Sequence, residues 1–379
     1  MSDEFRRSIL NRLPPMAPTK APWATEDDEE EELADELGDL VPPPSRAAPA
    51  LAPLSASEFF GQALEVTPDG GDAVFRAYLT EPAPKAGKPT YVLAHHGGGA
   101  SALSFAALAR AVAARSGGEL GFLAYDARGH GKTRVSGAEA AGADLSLDVL
   151  LADLLAVVRH VFPDPRAAPS FLLLGHSMGA APVLSAAPAL QNLGYTVCGV
   201  AVLDVVEGTA IEALPLMKGI IQKRPASFPS VSAAIAWHLN SGSIRNATSA
   251  RVSVPSYVVP AASGGPDDKQ VWRTNLLSTE PFWEGWYTGL SQRFVSARCA
   301  RLLVLAGQER LDRELMVGQM QGKFQLEVMQ DVGHSLHEDD PETLATTLVA
   351  FWRRNTQVLV LPPKIGVSRP VEVKQVGEA

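Results

Sequence analysis

Gly175-His176-Ser177-Met178-Gly179 follows directly on the apolar run Phe171-Leu172-Leu173-Leu174. Such a run, closed by a glycine, reads as a strand buried on both faces. A strand feeding a helix through this pentapeptide must turn so sharply that the residues two before and two after the serine cannot carry bulk. The serine itself is held in a strained backbone conformation with its Oγ exposed. Gly175 and Gly179 meet the steric demand.

Two further segments, both earlier in the chain, fall into order around this turn. Thr90-Tyr91-Val92-Leu93-Ala94-His95 reads as a strand running into His96-Gly97-Gly98-Gly99, a glycine loop of the kind that supplies backbone donors beside a nucleophilic serine. Phe122-Leu123-Ala124-Tyr125-Asp126 is a third strand, followed by the polar turn Arg128-Gly129-His130-Gly131. Together they resemble the α/β-hydrolase pattern. The expected fold is a mostly parallel central sheet with helices on both faces, opened by an antiparallel hairpin over Gln62 to Val66 and Ala73 to Leu79. Helices are predicted over Ala100 to Ala114, Leu145 to Phe162 and Pro341 to Arg354, and further strands over Val197 to Val206, Arg301 to Ala306 and Gln325 to Met329.

Between about residues 208 and 300 the strand pattern stops. A structureless connection of that length is improbable in a compact domain, and Val231 to Leu239 has helical patterning, so the insertion is expected to form a helical lid. Its Gly-Gly-Pro break around residues 261–268 is expected to be mobile, and with it arises the expectation that a docking partner completes the site. The hydrolase domain then covers residues 56–356, with tails at 1–55 and 357–379.

The formal charge of −9 belongs to the first tail, because residues 26–39 carry ten carboxylates and no base, leaving about +1 for the rest. Like charges repel, and the flanking prolines and scarce apolar residues cannot offset ordering entropy, so residues 1–55 are expected to be disordered. No basic stripe interleaved with aromatics suggests nucleic-acid binding, and no apolar run reaches the roughly 18 residues that span a bilayer. The first twenty residues lack a continuous apolar core, which argues against a secretory signal. The only cysteines, Cys198 and Cys299, read as small core residues rather than a disulfide, in keeping with cytoplasm or nucleus.

A serine hydroxyl needs a base, and the loop after the last strand offers His334 in Asp331-Val332-Gly333-His334-Ser335-Leu336-His337, with His337 as the competitor. The carboxylate that fixes the imidazole tautomer has two candidate locations. Glu309 or Asp312 follows the strand after the lid, whereas Asp204 follows the strand next to the serine turn; spacing leaves both open. Developing negative charge on an ester oxygen requires pre-set donors, for which the amides of Met178 and Gly98 are the candidates. No His/Cys cluster has metal-ligand spacing, and no cofactor is expected.

Several segments in and around the lid sharpen the resemblance. Leu203-Asp204-Val205-Val206-Glu207-Gly208-Thr209-Ala210, Ser241-Gly242-Ser243-Ile244-Arg245-Asn246, Ser249-Ala250-Arg251-Val252-Ser253 and Gly318-Gln319-Met320-Gln321-Gly322-Lys323-Phe324-Gln325 resemble signatures of the protein phosphatase methylesterase family. The likeness runs from about Phe60 to Arg354. It implies a serine esterase that demethylates the C-terminal leucine methyl ester of the protein phosphatase 2A catalytic subunit and binds that subunit. It also implies Ser177, Asp204 and His334 as the triad. Two departures stand out: Arg128-Gly129-His130-Gly131 is nearer to general hydrolases, and the break after residue 261 lacks a long acidic insertion. General small-ester hydrolysis and phosphatase binding without catalysis are the rival expectations.

Overall fold

Alternation along the buried strands builds two apolar layers, one on each face of a sheet. The structure, a computed structural model, describes residues 51–84, 87–136, 143–261, 269–307 and 310–356. β1 (Gln62–Val66) and β2 (Ala73–Thr80) form the antiparallel hairpin, pairing Gln62 with Leu79 and Val66 with Phe75. β3 (Thr90–His95), β4 (Leu120–Tyr125), the short β5 (Arg134–Val135), β6 (Ser170–His176) and β7 (Thr196–Leu203) follow. After the lid come β11 (Ala300–Ala306) and β12 (Gln325–Met329), giving the order β1-β2-β4-β3-β6-β7-β11-β12 with β5 on β2. From β4 to β12 every pairing is parallel.

Phe171 and Leu173 of β6 join one core with Leu150 and Leu154 of the helix Leu147–Val161 and Val183 of the helix Ala180–Asn192. Leu172 and Leu174 join the other, with Leu108 of the helix Ala106–Ser116 and Leu344 and Leu348 of the helix Pro341–Thr356. All four strand residues are fully buried, each such side chain contributing about 2 kcal/mol.

Boundaries depart from expectation where a single residue's backbone decides. The helix expected from Ala100 starts instead as a 3₁₀ turn, Ala102–Phe105, because the Ser101 hydroxyl caps it by accepting from the Leu103 amide. The strand expected through Val206 ends at Leu203, since Asp204 sits at φ 50° and leaves the extended region.

The insertion is helical, as expected, with helices Glu207–Gln222, Val231–Asn240, Ala247–Ser253, Trp283–Tyr287 and Leu290–Ser296. It also contains an unforeseen antiparallel sheet of β8 (Ser227–Phe228), β10 (Gln270–Trp272) and β9 (Val258–Pro260), strands too short to show a period. Phe228, Ile235, Ile244, Val254 and Tyr257 form its separate small core. Residues 262–268, where mobility is expected, lie outside the described residues, as do 1–50 and 357–379.

Residues just before position 56 already have fixed partners. The Leu54 amide donates to the Arg251 carbonyl, and Arg251 Nε donates to the Ala52 carbonyl, tying this stretch to the lid. Cys198 and Cys299 are unpaired and half-buried, and burial pushes their thiols up to about 12 and about 11. Among the described residues no helix is long and apolar enough to cross a membrane.

Candidate active site

Ser177 opens a 3₁₀ turn, Ser177–Gly179, at the carboxyl end of β6 and carries φ 50°. A side chain at Gly179 would put Cβ 2.2 Å from the His95 carbonyl oxygen, and one at Gly175 would put it 2.5 Å from the Gly179 oxygen. The turn therefore closes only with glycine at both places, as its sequence implies. Ser177 is half-buried, and beside its side chain stands that of Tyr287, a buried lid residue that sequence reasoning missed. A tyrosine between Trp286 and Thr288 in an aromatic-rich insertion carries no signal that would have singled it out.

Beyond β12, His334 Nδ1 donates to Asp204 Oδ2 at 2.8 Å. The other oxygen of Asp204 accepts from the Ala306 amide at 2.7 Å, so the carboxylate is fixed at both ends. Because Nδ1 holds its proton toward a carboxylate, Nε2 is the ring nitrogen whose lone pair can accept one. The rival acid Asp312 is otherwise occupied: it caps the helix Arg313–Met320 through the Leu315 amide at 3.0 Å and accepts from Ser291 Oγ at 2.5 Å. Glu309 lies outside the described residues. His337 is buried against Phe105 and His176, with ring centroids 4.7 and 4.4 Å away, and burial lowers its pKa to about 3.

The glycine loop lies against this turn. A Cβ at Gly97 would come within 2.7 Å of His176 Nδ1 and 3.3 Å of Ser177 Cβ, whereas Gly98 is exposed. The loop is held from behind by the Arg128-Gly129-His130-Gly131 turn, a role the sequence alone left unassigned. His130 Nε2 accepts from the Gly99 amide at 2.9 Å while Nδ1 donates to the Arg128 carbonyl. His96 Nε2 accepts from the Ala127 amide at 3.0 Å, and its Nδ1 donates to the Gly97 carbonyl. Burial holds both imidazoles neutral, lowering His130 to about 4 and His96 well below its ordinary value. Arg128 is clasped by Asp153 through two bonds of 2.6 Å, and Asp126 accepts from the Ala102 and Lys132 amides. From the lid, Leu276 reaches over Gly98 and Gly99.

Chemically, the arrangement offers a strained serine, an imidazole with an oriented tautomer, and backbone amides beside them. Among the described residues no group of three or more His, Cys, Asp or Glu is placed to hold a metal ion.

The α/β-hydrolase family profile matches residues 91–347. Protein phosphatase methylesterase 1 of Cryptococcus neoformans is 58% identical over an alignment that covers all of both chains. The chain belongs to the protein phosphatase methylesterase family. The protein of the same name from Aspergillus fumigatus is 41% identical, with 98% of this chain and 93% of the relative aligned. Members of this family are carboxylic ester hydrolases, and so is this chain. Among solved structures, E-2-(acetamidomethylene)succinate hydrolase matches 76% of this chain and 99% of its own, with TM-score 0.58 at 18% identity. An esterase of Mycobacterium tuberculosis matches 76% and 91%, with TM-score 0.54 at 20% identity. These two likenesses establish the fold alone.

Proposed function

We propose that this methylesterase hydrolyses the methyl ester on the C-terminal leucine of a protein phosphatase 2A catalytic subunit, binding that subunit as it does so, with Ser177, His334 and Asp204 as the triad. The observation that carries the catalytic assignment is the 2.8 Å bond from His334 Nδ1 to Asp204, formed beside the serine turn while Asp312 caps a helix. Membership of the family supports the substrate.

In this reading Ser177 Oγ attacks the ester carbonyl as its proton passes to His334 Nε2, and Asp204 steadies the imidazolium. The amides of Met178 and Gly98 receive the charge on the carbonyl oxygen, a donor pair of which one member is worth about 3 to 4 kcal/mol. Collapse of the tetrahedral intermediate expels the methoxy group, which takes the proton from His334 and leaves as methanol. Water then gives a proton to His334 Nε2 and its oxygen to the acyl-enzyme, freeing the leucine carboxylate and restoring Ser177.

The lid's tryptophans argue against a lipid substrate. Trp283 and Trp286 are buried, with their indole N–H groups bonded to Thr279 Oγ1 and the Leu145 carbonyl. Trp272 donates to the Pro225 carbonyl and stacks under Arg224, whose guanidinium lies 3.6 Å from its ring. They pack inward, Trp283 and Trp286 into the sheet's core and Trp272 onto the lid's, rather than paving an open apolar groove.

The test is demethylation of carboxyl-methylated phosphatase 2A by wild type and Ser177→Ala, beside hydrolysis of short-chain aryl esters. The expected result is rapid demethylation, slow aryl-ester turnover and loss of both in the variant. Equal rates on the two substrates would reduce the protein to a general esterase. Phosphatase binding with no turnover, and no fluorophosphonate labelling of folded protein, would make it a binding module.

A further inference from the structure

The family-like segments Ser241–Asn246 and Ser249–Ser253 take no part in the chemistry above, yet both touch the short helix Leu336–Asp339 that follows His334. The Asp339 side chain is only 1% exposed. Its Oδ1 accepts from the Arg245 amide at 2.7 Å, and its Oδ2 accepts from the Gly333 amide, also at 2.7 Å. One carboxylate thus joins the lid to the residue directly before His334. Gly333 itself lies close to the lid, where a Cβ would stand 3.7 Å from the Gly242 carbonyl oxygen. Four residues beyond Arg245, Ser249 Oγ donates to the Glu338 carbonyl at 2.7 Å.

His334 needs such support. Its side chain is 55% exposed and packs on one side against the His176 ring, 4.7 Å away between centroids, so its reach to Asp204 depends also on where its backbone is held. The backbone is bracketed. Ahead of it stands the Gly333–Asp339 bond, and behind it His176 Nε2 donates to the His334 carbonyl at 2.8 Å. His176 is bound to the serine turn by the chain itself, whereas Asp339 has its second bond in the lid.

We propose that Asp339 is a positioning residue for the reaction, clasping the loop that carries His334 to the lid segment Ser243–Arg245. The proposal rests on His334 being the base. It assigns to the Ser241–Asn246 segment the task of presenting a backbone amide to Asp339, and it makes lid placement a determinant of where the imidazole stands.

The experiment compares full-length Asp339→Ala, Asp339→Asn, Ser249→Ala and His334→Ala for fluorophosphonate labelling of Ser177, demethylation kinetics, thermal midpoint and the low-field Nδ1 proton resonance of His334. Asp339→Ala is expected to slow labelling and kcat by roughly ten- to a hundred-fold, the scale of a misplaced catalytic group, with little change in KM. The His334 resonance should broaden or vanish with it. Asp339→Asn keeps one accepting oxygen and should fall between; it carries the same readouts if the alanine variant does not fold. Ser249→Ala loosens the same seam without touching Gly333 and should label at the wild-type rate even where its thermal midpoint falls. Wild-type labelling and an unchanged resonance in the Asp339 variants would overturn the proposal, as would equal slowing by Ser249→Ala. Undiminished labelling in His334→Ala would instead remove the base assignment on which it stands.

Discussion

In the sheet, neighbouring residues of one strand serve opposite cores, Phe171 and Leu173 on one side, Leu172 and Leu174 on the other. In the lid, Trp283, Trp286 and Phe294 join the sheet's core, while the part around Ile235 and Val254 closes a smaller core of its own, supplemented by polar seams to the body. Ser101 Oγ meets Ser256 Oγ at 2.6 Å, Thr274 Oγ1 donates to the Gly129 carbonyl at 2.9 Å, Tyr257 OH donates to the buried Glu338 at 3.3 Å, and Asp339 holds Arg245. The difference teaches how the site is divided. Ser177, Asp204 and the glycine loop are borne on strand ends whose positions follow from apolar alternation. His334 is borne on a loop shared with the lid, where individual hydrogen bonds decide placement.

The largest test separates an acid at a sheet strand's end from one committed to helix capping. Asp204→Asn should lower kcat by about 10⁴-fold, because the amide can hold the wrong imidazole tautomer. Asp312→Asn should leave kcat nearly intact and cost at most about 1 kcal/mol of stability through its cap. Demethylation rates and denaturant midpoints read both, and matching activity losses would return Asp312 to contention.

Leu303→Ala, in the sheet's core, should cost about 2 to 5 kcal/mol and lower the global midpoint. Ile235→Ala removes a comparable side chain from the lid. Its effect should appear mainly as faster amide exchange over residues 231–258, with a smaller global shift. Equal global shifts would show that lid and sheet unfold as one unit and would erase the contrast.

The seam should also respond to pH. Burial pushes the Glu338 carboxyl up to about 8 from its ordinary 4.5, so the folded chain retains a proton that the unfolded chain releases. This contribution is full below pH 4.5 and is lost as pH rises through 8, at up to about 1.4 kcal/mol per pH unit. Buried His95, His130 and His337, lowered to about 4, about 4 and about 3, act oppositely. Their contribution is present above 6.5 and is lost as pH falls through those values, so above 6.5 they no longer offset the fall from Glu338. Over that window wild type should lose stability and Glu338→Gln should stay nearly flat in thermal melts. Identical slopes would exclude the carboxyl as the source.

The smallest effect belongs to one seam bond. Ser256→Ala should cost about 1 kcal/mol and speed amide exchange in the lid, leaving exchange in β6 unchanged. Slowed or unaltered lid exchange would mean that the seam does not hold the lid.

Much of this was legible beforehand. The hairpin, the parallel strands, the long helices and the serine turn all carry local signals: period-two or period-3.6 apolar spacing, and glycines where a Cβ would strike backbone. The lid's three-stranded sheet was not legible, because strands of two or three residues have no period. Nor was the use of Arg128 and His130, whose partners Asp153 and the Gly99 amide lie 25 and 31 residues away.

By itself the sequence determined the serine turn, the fold and the family, because a strand, a tight turn and the signature segments are each contiguous in the chain. The choice of acid was different. Glu309, Asp312 and Asp204 satisfied spacing equally, and the resemblance favoured Asp204 without supplying a contact. Only the tertiary structure brought the Asp204 carboxylate to 2.8 Å from His334 across 130 residues of chain, and only there did Asp339 meet both Gly333 and the lid. Hydrogen bonds act over a few ångströms in space, whatever their separation in sequence.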